Sequence, residues 1–259
     1  MPSAAKTSIL VRVQARGGKF LADDIGGAEV TVRDAHTGER LGGGLVQGTD
    51  SGNLSGKFVA SASQSAVVTP GAPGKPPVIQ WLVPDAVTSG LALELPLIRP
   101  TLLAVAAYGP LGGLQSAQRV ESSTWALPGQ SLDQGPGFVI ELPGLVVQVM
   151  SPPTHLEIPS LPAVITFQAK VTMMCGCQIA PGQPWVPSDF VVTAAIGLVG
   201  QAPSAVVPLV FEGSAPSLFA GTYHLSQAGY FQAVVSATQR STGNLGTALV
   251  TFFVQSGAP

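Results

Sequence analysis

The sequence predicts an all-β protein of two tandem antiparallel β-sandwich domains. Three observations carry that expectation. Apolar residues recur at every second position over many short runs, the period of a strand with one buried face. Glycine (31) and proline (23) interrupt those runs, so no long window keeps a 3.6-residue helical period. Hydrophobic residues make up 46% of the 259, enough to bury full cores.

The first domain is expected over residues 1–143. In Ser8–Ala15, Ile9, Val11, Val13 and Ala15 point inward, with Arg12 and Gln14 outward. Ala28, Val30 and Val32 repeat the pattern, and Asp34-Ala35-His36-Thr37-Gly38 forms a turn before Glu39-Arg40-Leu41. Gly42-Gly43-Gly44 reads as a flexible turn. Further strands are expected at Lys57–Ala62, Val78–Leu82, Leu91–Leu95, Thr101–Ala107 and Phe138–Leu142. The stretch Val67–Pro77 reads as an exposed loop. Gly27 to Asp34 followed by Thr37-Gly38 resembles the start of transthyretin-like or carboxypeptidase-regulatory-like sandwich domains.

The second domain is expected over residues 144–259. Leu145–Met150 begins it, and Ser151-Pro152-Pro153 turns the chain. Val164–Met173 follows, with Ile165, Phe167, Ala169, Val171 and Met173 inward and Thr166, Gln168, Lys170 and Thr172 outward. Phe190–Ile196, Ala205–Phe211 and Leu218–His224 come next. The clearest run is Gly229–Thr238, with Phe231, Ala233, Val235 and Ala237 on one face. A turn over Ser241–Gly246 and a strand over Thr247–Val254 complete a hairpin. This makes about seven strands, the count of an immunoglobulin-like sandwich. The opening strand and its Pro turn resemble bacterial immunoglobulin-like domains. The inter-sheet disulfide and buried strand tryptophan of antibody domains are missing, so the resemblance brings no functional residues with it.

Charged residues are only 10% of the chain, against about 25% in an average soluble domain. A chain so poor in charge is expected to cover part of its surface with a protein partner or a copy of itself. Net charge is −2 and no basic run exists, which argues against nucleic acid and anionic lipid as partners. No window approaches the ~18 uninterrupted apolar residues of a membrane helix, so no membrane insertion is expected. Residues Met1–Gln14 lack the apolar core and cleavage site of a signal peptide. The compartment is therefore cytoplasmic by default and extracytoplasmic by fold analogy.

The one chemical lead is Met173-Met174-Cys175-Gly176-Cys177, which holds both cysteines of the chain. Thiolates and thioethers are soft ligands suited to Cu(I), and thiolates also suit Zn. Gly176 lets the backbone fold so that both sulfurs face one ion. Cys175, Cys177, Met173 and Met174 are the candidate metal ligands. Against them, structural zinc takes four ligands and no second Cys pair exists. The alternative is a pair of small buried hydrophobes continuing the inward parity of Met173. Topology places His155 and His224 at the far end of the sandwich, roughly 25 Å away along a strand.

Other constellations are weaker. Asp23-Asp24 and Asp50-Ser51-Gly52-Asn53 offer oxygen ligands but lack a closing Glu, and read as turn-capping acids. His36 reads as exposed in its turn. Ser51, Ser55 and Ser217 lack a nucleophile-elbow context, and no nucleophile–base or phosphate-binding pattern occurs. Lys170 is the only cation near the cysteines in sequence. Trp81, Trp125 and Trp185 could form a platform for stacking sugars. The expected role is thus a non-enzymatic structural or protein-binding subunit of an assembly. A soft-metal protein and a carbohydrate-binding module are the alternatives.

Overall fold

The structure is a computed structural model, and it describes residues 6–55, 65–69 and 78–256. The fold is all-β: among the described residues, the only helical segments are short 3-10 turns. The chain divides into two compact units. One comprises Met1–Pro143 with Met174–Cys177, the other Gly144–Met173 with Gln178–Pro259.

The first unit contains β1 (Thr7–Ala15), β2 (Ala28–Asp34), β3 (Arg40–Val46), β4 (Asn53–Ser55), β5 (Ser65–Thr69) and β6 (Val78–Val83). It continues with β7 (Leu91–Leu95), β8 (Thr101–Gly109), β9 (Gln118–Ala126), β10 (Ser131–Leu132) and β11 (Phe138–Leu142). One sheet is built on β1, with β7 antiparallel on one side and β10 and β11 parallel on the other. A second runs β3-β2-β8-β9, and a third β4-β6-β5. Ile9, Val11, Val13, Ala15, Val30 and Val32 are fully buried, as their alternation predicts.

Arg12 and Gln14 depart from the expected parity, because both are buried. Burial is tolerated where polar atoms find partners. The Arg12 guanidinium donates to Ser89 O at 3.2 Å and Pro136 O at 2.9 Å, and lies 5.8 Å from the Phe20 ring centre. Gln14 donates to Gly18 O at 3.1 Å. The turn after β2 is capped by Asp34, whose carboxylate accepts from the His36 and Thr37 N–H groups and from Arg99. The His36 N–H, then Arg99, hold that carboxyl below its ordinary range.

Gly42-Gly43-Gly44 is not a turn but the middle of β3. A Cβ on Gly42 would meet Leu95 at 3.3 Å and Leu93 at 3.5 Å, and one on Gly44 would meet Leu91 at 3.2 Å. The missing side chains make room for the leucines of β7. Val67–Thr69 lies in β5 and not in a loop. The expected strand at Lys57–Ala62 and the rest of Val67–Pro77 lie outside the described residues.

The second unit contains β12 (Leu145–Ser151), β13 (Leu156–Ile158), β14 (Ala163–Met173) and β15 (Phe190–Leu198). It ends with β16 (Ala205–Phe211), β17 (Leu218–Leu225), β18 (Gly229–Gln239) and β19 (Leu245–Val254). The strand order is β12-β14-β17-β16-β15-β18-β19-β13. Here β16 pairs with β15 over Ala205–Leu209, then crosses to β17 at Val210 and Phe211. The two sides of this crossing are the two layers of an immunoglobulin-like sandwich. Between them Phe252 stacks on Phe231 at 5.4 Å and meets Phe167 edge-on at 6.3 Å. Thr172, expected outward, is buried beside the start of β12. Among the described residues, no helix is long and apolar enough to cross a membrane.

Candidate metal centre

Met173 is the last residue of β14, and Met174–Cys177 then turns away to pack with the first unit. Gly176 makes the turn possible with φ at 75°, a left-handed conformation that a side chain would strain. Cys175 is buried and Cys177 half-buried; both are free thiols. The Cys175 sulfur accepts the Lys19 N–H at 3.4 Å. A Cβ on Gly18 would stand 3.2 Å from that sulfur, so a glycine there leaves it space.

The Cys177 thiol hydrogen-bonds to the Cys175 sulfur. Burial opposes ionisation of Cys175, but the Cys177 thiol and the Lys19 N–H stabilise its thiolate and bring its pKa down on balance. Cys177 is driven far up instead, because its thiol is held by the Cys175 sulfur and its partial burial opposes ionisation.

Of the predicted ligands, the turn brings Cys175 and Cys177 together. Met174 and Met173 are both fully buried. His224 pairs with Val164 at the opposite end of β14, about 30 Å along the strand from Met173. The His155 N–H donates to Thr251 O at 2.7 Å, well along β19 from Leu245. No group of three or more His, Cys, Asp or Glu converges among the described residues. Two sulfurs alone suit two-coordinate Cu(I) better than zinc, which takes four ligands.

The remaining candidates resolve into local roles. Asp23 accepts from the Gly48 N–H at 3.0 Å, and Asp50 from the Gly52 N–H at 2.5 Å. Ser217 is buried, and its hydroxyl accepts the Ile179 N–H at 2.9 Å. Trp185 is buried ahead of β15, so the three tryptophans form no common platform. Trp125 is 59% exposed on β9, and the exposed His36 ring lies 6.1 Å from it.

Sequence reasoning missed a polar network at the tip of the β18–β19 hairpin. The buried Asp189 carboxylate accepts from Gln239 Nε2 at 2.9 Å, Ser241 N at 3.0 Å and Ser241 Oγ at 2.6 Å. Gln239 in turn accepts from Thr242 and Asn244, and Asn244 accepts the Gly144 N–H at 3.0 Å. The polar cluster Ser241-Thr242-Gly243-Asn244 was its only sequence signal.

No protein-family model matches the chain, and no curated protein matches it. Among solved structures, an engineered protein aligns at 19% identity with a TM-score of 0.30, over 46% of this chain. This chain spans only 22% of that protein's length. Fibronectin(III)-like modules of Clostridium thermocellum CbhA align at 10% identity over 98% of this chain and 92% of theirs, TM-score 0.30. A chimeric titin Z1Z2 aligns at 11% identity over 100% of both chains, TM-score 0.26. Scores this low leave the sandwich assignment resting on the strand pairing described above.

Proposed function

We propose that the chain is a non-enzymatic structural and protein-binding subunit of an assembly, its second unit a bacterial immunoglobulin-like module. The supporting observation is an apolar row across the outer face of the second unit. Val206, Ala195, Val234 and Leu249 stand side by side on β16, β15, β18 and β19. Val206 is 63% and Leu249 47% exposed. The neighbouring row is Pro208, Thr193, Ser236 and Thr247, without a charge. Nearer the far end, Tyr230 packs on Phe253 at 4.6 Å and is itself exposed. A continuous uncharged band of this kind supports the reading that another protein covers this face. Val206→Lys with Leu249→Lys tests it. The wild-type chain, purified from its native source, is expected to carry a bound protein in native mass spectrometry. The double variant should appear alone, with unchanged thermal melting. Equal masses for the two would remove this reading.

A second reading follows from the sulfur pair. Cys175 and Cys177 would hold Cu(I) between them, with Met173 or Met174 as a weak further ligand. Zinc would need ligands from another chain. Loading with Cu(I) should give about one copper per wild-type chain and none in Cys175→Ser/Cys177→Ser, read by elemental analysis. Equal copper in both would exclude a site at these sulfurs.

A further inference from the structure

We infer that a cleft in the second unit, where β16 leaves β15, binds a small aliphatic carboxylate with its head group on Arg240. Val192↔Leu209 is the last pair of β15 with β16 in that direction. Continued straight, β16 would set Val210 beside Val191 and Phe211 beside Phe190. Both residues pair instead with Ala220 and Phe219 of β17. Pro208, just before the departure, has no N–H to carry a ladder onward. Beside the first residues of β15 the departing strand leaves an open cleft of about 450 Å³. Small-molecule sites span roughly 300–1,000 Å³.

The lining selects the body of the ligand. Nine of the twelve lining residues are apolar. Phe190 and Val191 come from β15, and across from them stand Val210 and the Phe211–Phe219 pair, whose rings meet edge-on at 5.6 Å. Val191 is 39% and Val210 67% exposed, so apolar surface here faces water and is stabilised by being covered. Only Ser188, Thr193 and Arg240 bring polar side chains. A peptide placed here would carry an N–H and a C=O with each residue, and each needs a partner once buried. An alkyl chain needs none.

Charge selects the head group. Lys170 and Arg240 are the only Lys or Arg in residues 144–259, and Arg240 lines the cleft. Its Nη1 donates to Ser188 O at 2.6 Å, which fixes the guanidinium at the rim. No carboxylate forms an ion pair with it among the described residues. The acids that adjoin lining residues in sequence are engaged elsewhere. Asp189 accepts from Gln239 and Ser241, and Glu212 from Gln168 and Ser214. The rest of the guanidinium fork matches the geometry of a carboxylate. Neither Val206 nor Leu249 lines the cleft, so it is distinct from the apolar row.

Isothermal titration of the full chain with octanoate and with 1-octanol tests the assignment. Octanoate should bind saturably, about one per chain, and about ten-fold tighter than 1-octanol. Hexanoate should bind about ten-fold more weakly than octanoate, because it buries two fewer CH₂ groups. Arg240→Gln should weaken octanoate about ten-fold and leave 1-octanol unchanged. Val210→Glu, at an exposed position, sets a carboxylate in the cleft and should abolish octanoate binding without changing the melting temperature. Absence of saturable octanoate binding would overturn the inference. So would octanoate bound no tighter than 1-octanol, or bound equally by wild type and Arg240→Gln.

Discussion

Phe252→Ala is expected to lower stability by about 4 kcal/mol, the largest single loss in the second unit. Phe252 is almost fully buried and lies where both layers meet, stacked on Phe231 and edge-on to Phe167. Truncation removes the transfer free energy of the ring and leaves a cavity that two rigid strands cannot close. Phe252→Leu refills most of that volume and should cost much less. Urea denaturation followed by circular dichroism reads both. Equal losses for the two variants would show that something other than filled volume decides the site.

Asp189→Ala comes next, with an expected loss of about 3 kcal/mol. Its carboxylate takes three hydrogen bonds from Gln239 and Ser241 while buried, and bonds to a charged acceptor are the stronger kind. Without it, the buried amide of Gln239 keeps a donor with nothing to accept it. The melting temperature should fall by roughly 10 °C. Asp189→Asn preserves the shape and one acceptor oxygen, so it should fall between wild type and alanine. A loss below about 1 kcal/mol for Asp189→Ala would mean that water replaces the carboxylate at no cost.

Much of the architecture could be read from alternation alone. Phe231, Ala233, Val235 and Ala237 are all buried, and their hairpin with β19 forms where the pattern places it. The errors share a cause. Strand period reports a sheet with one wet face, and it fails where that condition fails. Arg12 and Thr172 were assigned outward because they are polar, yet both are enclosed. Strand β9 went unread because even its more sheltered face, Gln118, Val120, Ser122, Thr124 and Ala126, is mostly polar and so shows no apolar repeat. The glycines of β3 looked like a turn because their role is steric, set by leucines fifty residues on.

At the candidate centre, the sequence showed the two sulfurs but not their setting. Gly176 signalled a tight turn, and the turn exists. The backbone N–H of Lys19, which donates to the Cys175 sulfur, lies 156 residues away and has no local trace. Asp189 was likewise invisible, because its partners come from a hairpin tip 50 residues later.

One feature of both units bears on how they carry load. In the first, β1 runs parallel to β11, from Val11↔Phe138 to Ala15↔Leu142. In the second, β13 runs parallel to β19, from Leu156↔Phe252 to Ile158↔Val254. An early strand and the last strand of each unit are thus clasped side by side and point the same way. Tension pulling those strands apart along the chain acts lengthwise on the clasp. Its hydrogen bonds then share the force in shear and must rupture together, whereas a hairpin pulled from its open end unzips bond by bond. A parallel clasp of this kind ruptures at a higher force than a hairpin of the same length.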